Sequence, residues 1–139
     1  MPADEKIVTV VREWIEKAEH DLTLAAHALK LKEKCPGDLV CFHAQQCVEK
    51  YLKSLLVLNR TAFPKTHDLG KLVSLLPRRA RPRFAVGEQE LLTEYATGAR
   101  YPGWGDVSLA EARKSVGLAR RIRREVRKLL PESTLRKKR

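Results

Sequence analysis

Cysteine is scarce in this chain. Cys35, Cys41 and Cys47 are the only three, an odd number with no Cys-x-x-Cys pair, which excludes a disulfide framework and a cysteine zinc site. Glycine and proline, seven each, are too few for a repetitive or loop-dominated fold. No apolar run approaches the roughly 18 residues of a membrane span. Several signatures of catalysis are missing: a Gly-rich phosphate loop, His-Glu-x-x-His, a Ser-centred nucleophile elbow and a carboxylate cluster of metal-site type. No metal and no cofactor are therefore expected. The opening, MPADEKIVTV, is charged and has no signal-peptide core, so the expected location is the cytoplasm.

What is present is a foldable chain with its charge displaced to one end. Hydrophobic residues make up 43% of 139 positions, enough for one domain with a single core and too many for a disordered polymer. The formal charge is +11. Residues 113–139 hold 12 basic and 2 acidic side chains, whereas the first 112 hold 16 and 15. Such asymmetry points either to contact with a polyanion or to a solvated helix with a basic tail.

Helical periodicity dominates, and the spacing predicts an all-α, up-and-down antiparallel bundle of about five helices over residues 1–130, with a basic tail at 131–139. The first helix is expected from Asp4 to Lys32, where Val8, Val11, Ile15, Ala18, Leu22, Ala25 and Leu29 form one stripe and CPGD (35–38) ends it. The second, near Asp38 to Asn59, is apolar around most of its circumference and so reads as central. A third is expected from Thr66 or His67 to Leu76 and a fourth over Gly87–Gly98. Irregular chain follows through Pro102, Gly103 and Gly105. Ser108 with Glu111 reads as a capping box opening the last helix, which Pro131 closes before a frayed STLRKKR.

Four features could carry chemistry. A polar strip interrupts the second helix: His43, Gln46, Lys50 and Lys53, with Gln45 and Glu49 on the adjoining row. It is either the floor of a pocket in which Lys50 and Lys53 meet a phosphate, or an ion-pair set, with Asp21 and Glu49 as partners, that fixes helix register. His67, in THDL, is either a proton donor or phosphate contact, or a loop side chain bonded to backbone. Arg100, Tyr101 and Trp104 share the irregular segment, where an Arg beside aromatics suits phosphate and bases, or the rings cap the core. The basic patch of the last helix (Arg113, Arg120, Arg121, Arg124 and Arg127) suits a phosphate backbone, or is a solvated face.

In their order these stretches resemble the HEPN domain, named for nucleotide binding in higher eukaryotes and prokaryotes. AEHDLTLAAHAL (18–29) is similar to the family's first-helix motif and DLVCFHAQQCVEKYLKSLL (38–56) to its second-helix signature. FPKTHDLGKLVSLL (63–76) is similar to the loop and short helix after it, and ARYPG (99–103) before SLAEARKSV to its last landmark. The resemblance implies a helical bundle that forms a homodimer. It also implies a minimal nucleotidyltransferase partner, in a toxin–antitoxin-like system, and a cleft for a nucleotide or RNA. By matching position, His43, Gln46, Glu49, Lys50, His67, Arg100 and Tyr101 would face that cleft, with Lys53 beside them. Many members are metal-independent ribonucleases that use an Arg followed four to six residues later by a His. Here Arg100 fits by position, and no His follows it. Arg60 and His67 have the spacing but bracket a loop containing Pro64. The expected function is a nucleotide- or RNA-binding module. The alternatives are a ribonuclease of atypical constellation, with Arg100 its best catalytic candidate, and a basic adaptor acting through residues 113–139.

Overall fold

The computed structural model describes residues 4–98 and 101–136. Among them there is no strand, and six helices follow in order: α1 (Glu5–Ala28), α2 (Gly37–Leu58), α3 (Leu69–Leu75), α4 (Val86–Thr97), α5 (Leu109–Lys128) and α6 (Glu132–Leu135). Five of the six have seven residues or more, so the expected all-helical bundle is the observed one.

Three helices, α1, α3 and α5, start at a side-chain cap. The Asp4 carboxylate accepts the Lys6 N–H at 2.8 Å and opens α1. Val11, Ile15, Ala18 and Ala25 are its buried stripe. The α-helical part of this segment ends at Ala28, short of the expected Lys32, because Leu29–Lys34 tightens into a 3-10 turn. There Lys32, at φ 52°, reverses the chain toward Pro36. The third helix likewise begins later than expected. Asp68 is its cap and not a first-turn residue, accepting the Lys71 N–H at 3.2 Å, and the Thr93 hydroxyl accepts the Leu69 N–H at 3.1 Å. At the start of α5 the Ser108 hydroxyl accepts the Glu111 N–H at 3.0 Å. The Glu111 carboxylate takes the Tyr95 hydroxyl at 2.5 Å and so ties α5 to α4.

The periodicity of α2 implies burial on most sides, and α2 packs against α1, α3, α4 and α5. Val40, Cys41, Ala44, Cys47, Val48, Tyr51, Leu52, Leu55 and Leu56 are all buried there. The three cysteines are free thiols. Burial, above all, pushes those of Cys41 and Cys47 up, which keeps them protonated and inert. Residues 132–135 correct the expectation of a frayed tail. They form a short helix docked on α1, with Thr134 buried and the Ser133 carbonyl accepting from Arg12 Nε and Nη2 at 3.0 and 2.6 Å.

Two glycines permit close approach. At Gly37 a Cβ would lie 2.5 Å from the Val107 carbonyl oxygen, and at Gly98 it would lie 2.2 Å from the Trp104 ring. Gly117, midway along α5, faces open space. Gly37→Ala should therefore destabilise by about 1–3 kcal/mol through overpacking against backbone. Gly117→Ala should stabilise by about 0.5–1 kcal/mol through helix propensity. Urea denaturation of the two variants checks both signs.

Candidate functional site

The polar strip of α2 resolves into two clusters. In the first, Asp21 on α1 stands between His43 and Lys50, which are two turns apart on α2 and so reach the same carboxylate. Its Oδ1 lies 2.8 Å from His43 Nδ1, and its Oδ2 accepts from Lys50 Nζ at 2.5 Å. In the second, Glu49 is almost wholly buried, with its side chain 4% exposed. Its Oε1 lies 2.7 Å from His67 Nδ1 and receives the Gln45 and Gln46 amides at 3.3 Å each. Oε2 receives Lys53 Nζ at 2.9 Å. Gln45 also donates to the His67 carbonyl at 3.0 Å, and Gln46 donates to Gln45 Oε1 at 2.7 Å. Trp14 and Phe63 close over Lys53, whose Nζ sits 5.5 and 5.7 Å from their ring centroids.

The ion pairs of the second reading are present in the structure. Asp21 pairs with Lys50 and Glu49 with Lys53, so each lysine expected to meet a phosphate already has a carboxylate. Among the described residues no buried side-chain nitrogen or oxygen lacks a partner. His67 bonds by its ring to the Glu49 carboxylate and by its own carbonyl to Gln45, so the side chain meets a carboxylate where a backbone partner was one expectation. In the irregular segment Tyr101 is exposed and Trp104 lies against Gly98, with Gly103 and Gly105 at φ 96° and 99° forming the turn. Arg100 lies outside the described residues, so its convergence with the strip does too.

The basic patch of α5 also divides. Arg121 turns toward α4, pairing with Glu88 and donating to the Arg83 carbonyl. Arg127 donates to the Tyr51 hydroxyl at 3.2 Å. Arg121 is thus neutralised by a carboxylate, whereas Arg127 is held by a neutral hydroxyl. Arg113, Arg120 and Arg124 are exposed, on one row at i, i+7 and i+11, and have no partner among the described residues. Sequence reasoning missed Arg123, whose guanidinium grips Glu19 by three hydrogen bonds of 2.7–3.0 Å. The signal was present. Arg123 falls seven residues after Val116 and four after Ala119, at the rim of the buried stripe, and Glu19 adjoins Ala18 in the same way.

The Glu19–Arg123 pair stands between two recesses along the α1/α5 seam. One, of about 370 Å³, is lined by Glu19, Leu22, Thr23 and Ala26 of α1 and by Arg120, Arg123 and Arg124 of α5. The other, of about 760 Å³, runs on beneath α6 and includes Arg12, His20, Arg127 and Leu135. Both volumes fall within the range of small-ligand sites. Burial raises the Glu19 carboxyl pKa, but hydrogen bonds from Arg123 and Tyr51 and the charges of Arg123 and Arg127 outweigh it. The group is held below the usual carboxylate range.

A helical bundle whose polar clusters sit at these positions defines a recognisable class, and the chain belongs to the HEPN domain family. The HEPN domain model matches residues 11–129, and the family is generally related to nucleotides and RNA. The crystal structure of TT1696 from Thermus thermophilus is similar at 30% identity, covering 86% of this chain and 98% of that one with a TM-score of 0.74. The crystal structure of ST0689, an archaeal HEPN homologue, is similar at 26% identity, with the same coverages and a TM-score of 0.67. No curated protein matches the sequence. No helix among the described residues is long and apolar enough to cross a membrane.

Two outcomes test this geometry. Glu49→Ala would strand Lys53 and three further donors and should cost about 3–5 kcal/mol, whereas Arg113→Ala should stay within about 0.5 kcal/mol. Chemical denaturation separates the two. Because the Glu19 pKa is lowered on folding, its stabilisation is present above the unfolded value of about 4.3 and is lost as pH falls through the folded value. The Tm gap between wild type and Glu19→Gln should therefore close on acidification from pH ~6 to pH ~3.

Proposed function

We propose that this protein is a nucleotide- or RNA-binding HEPN module that engages phosphate through α5 and acts, as a homodimer, with a minimal nucleotidyltransferase partner in a toxin–antitoxin-like system. The observation that carries the binding reading is the row Arg113, Arg120 and Arg124, exposed and unpaired while their neighbours Arg121, Arg123 and Arg127 are all engaged. Lys114 lies beside the row and is exposed as well. Guanidinium groups give phosphate oxygens charge-assisted, bidentate hydrogen bonds. A cation row without carboxylates attracts a polyanion by counterion release. The dimer and the partner rest on the motif resemblance, and a cytoplasmic location goes with them.

A second reading, ribonuclease action, has one observation in its favour. His67 is half exposed, and its Nδ1 is held by the buried Glu49, an arrangement that orients an imidazole for proton transfer from a 2′-hydroxyl without metal. Arg100 or a tyrosine would then assist it.

The test is fluorescence anisotropy with a single-stranded RNA of about 12 nucleotides across a salt series. The expected result is saturable binding whose log–log salt slope falls by about 2 in the Arg113→Ala, Arg120→Ala, Arg124→Ala variant, at ~0.7 per phosphate contact. An absence of RNA or nucleotide binding at low salt overturns the reading. RNA that is shortened in EDTA, with shortening lost in His67→Ala, makes the enzyme reading the correct one. Co-purification with a nucleotidyltransferase encoded beside this chain tests the partnership.

A further inference from the structure

The α1/α5 seam contains a pairing that its surroundings make replaceable. Glu19 presents its carboxylate to the Arg123 fork through both oxygens, the same geometry by which a guanidinium grips a phosphate. Each member of the pair is about one third exposed, at 33% and 32%, so the contact is partly hydrated. It opens directly into the 370 Å³ recess, whose α5 wall also holds Arg120 and Arg124, both without partners among the described residues. Leu22 and Ala26 line its α1 side, where Thr23 adds a hydroxyl. The recess therefore holds three guanidiniums and one carboxylate, and of the three that carboxylate occupies Arg123.

We propose that the recess between α1 and α5 is a phosphate-binding site in which Glu19 is a built-in competitor, occupying on Arg123 the seat that a ligand phosphate takes beside Arg120 and Arg124. The inference rests on the reading of this protein as a binder of phosphate-bearing ligands, and adds the location and a restraint on affinity. Glu19 must yield Arg123, or remain as a negative charge beside the incoming anion. Either way it weakens binding. The phosphate can belong to an RNA chain or to a free nucleotide, since both present the same group to the recess.

Isothermal titration with inorganic tripolyphosphate, with UMP and with a single-stranded RNA of about 12 nucleotides tests the site. Glu19→Gln, which removes the charge and keeps the shape, should tighten tripolyphosphate binding about threefold or more. Arg123→Lys in that background should erase the gain, because an ammonium cannot reproduce the fork. The Arg120→Ala, Arg124→Ala variant should weaken binding about tenfold, and since both side chains are exposed and unpaired it decides the matter even if Glu19→Gln fails to fold. UMP that responds as tripolyphosphate does marks a free nucleotide as sufficient, and a response confined to RNA and tripolyphosphate marks a chain of phosphates. Unchanged affinity in folded Glu19→Gln, or in the double variant, overturns the proposal. The two readings fail separately. Tripolyphosphate binding that follows these variants, without RNA or UMP binding, keeps the recess and removes the nucleic-acid function. RNA binding that weakens in the Arg120→Ala, Arg124→Ala variant but is indifferent to Glu19→Gln and to Arg123→Lys does the reverse.

Discussion

The burial of Glu49 constrains most of what surrounds it. A carboxylate taken out of water into a bundle core is tolerable only if it is paired and hydrogen-bonded. Here four side chains converge on it: Gln45 and Gln46 from the preceding turn, Lys53 from the following one, and His67 from beyond the end of the helix. The last of these bends the chain after α2 back onto its own helix. The return brings Phe63 against Trp14, with ring centroids 6.2 Å apart, and so closes α1 over Lys53. One ionised group thus links the register of α1 and α2 and the path of the following loop.

The same constraint decides which cations are free. Lysines on α2 neutralise the buried carboxylates, and separating either pair would leave a charge in low dielectric. The unused positive charge accordingly lies on the outer side of α5. It is not cost-free there, since Arg120 and Arg124 are like charges one turn apart, an arrangement that opposes the helix by about 0.2–0.5 kcal/mol. A bound polyanion would reverse the sign of that term, so stability and binding pull the row in opposite directions.

Much of this fold was legible in the sequence because helix formation is written locally. Apolar steps of three and four located α1, α2 and α5 to within a few residues, and Asp4, Ser108 and the CPGD turn marked their ends. Less of the site was legible. Asp21, at the edge of the α1 stripe, was legible as one possible partner for the lysines of α2. The bond between His67 and Glu49 joins residues 18 apart across an irregular loop, and no periodicity reports it. The division of the α5 arginines depends on which neighbour each can reach. Arg121 finds Glu88, 33 positions away, and Arg123 finds Glu19, 104 positions away. Helix spacing puts them on sides of a cylinder but does not say what stands opposite. The docking of α6 was hidden for a similar reason, since Ser133 contributes a backbone carbonyl, which has no signature in the sequence.

Two carboxylate–cation pairs of the same chemical type therefore have different fates, and burial separates them. Glu49 and Lys53 are 4% and 11% exposed, so no solvent replaces a lost partner and the pair is bound into the fold. Glu19 and Arg123 are about a third exposed, where such pairs are worth roughly 0–1 kcal/mol because water competes for both members. A contact that weak holds a guanidinium in position without withholding it from a stronger anion. A terminal phosphate, with three acceptor oxygens and a higher charge than a carboxylate, is such an anion. The position of each pair, beneath two aromatic rings or at the mouth of a recess, thus separates the one that builds the bundle from the one that can be exchanged.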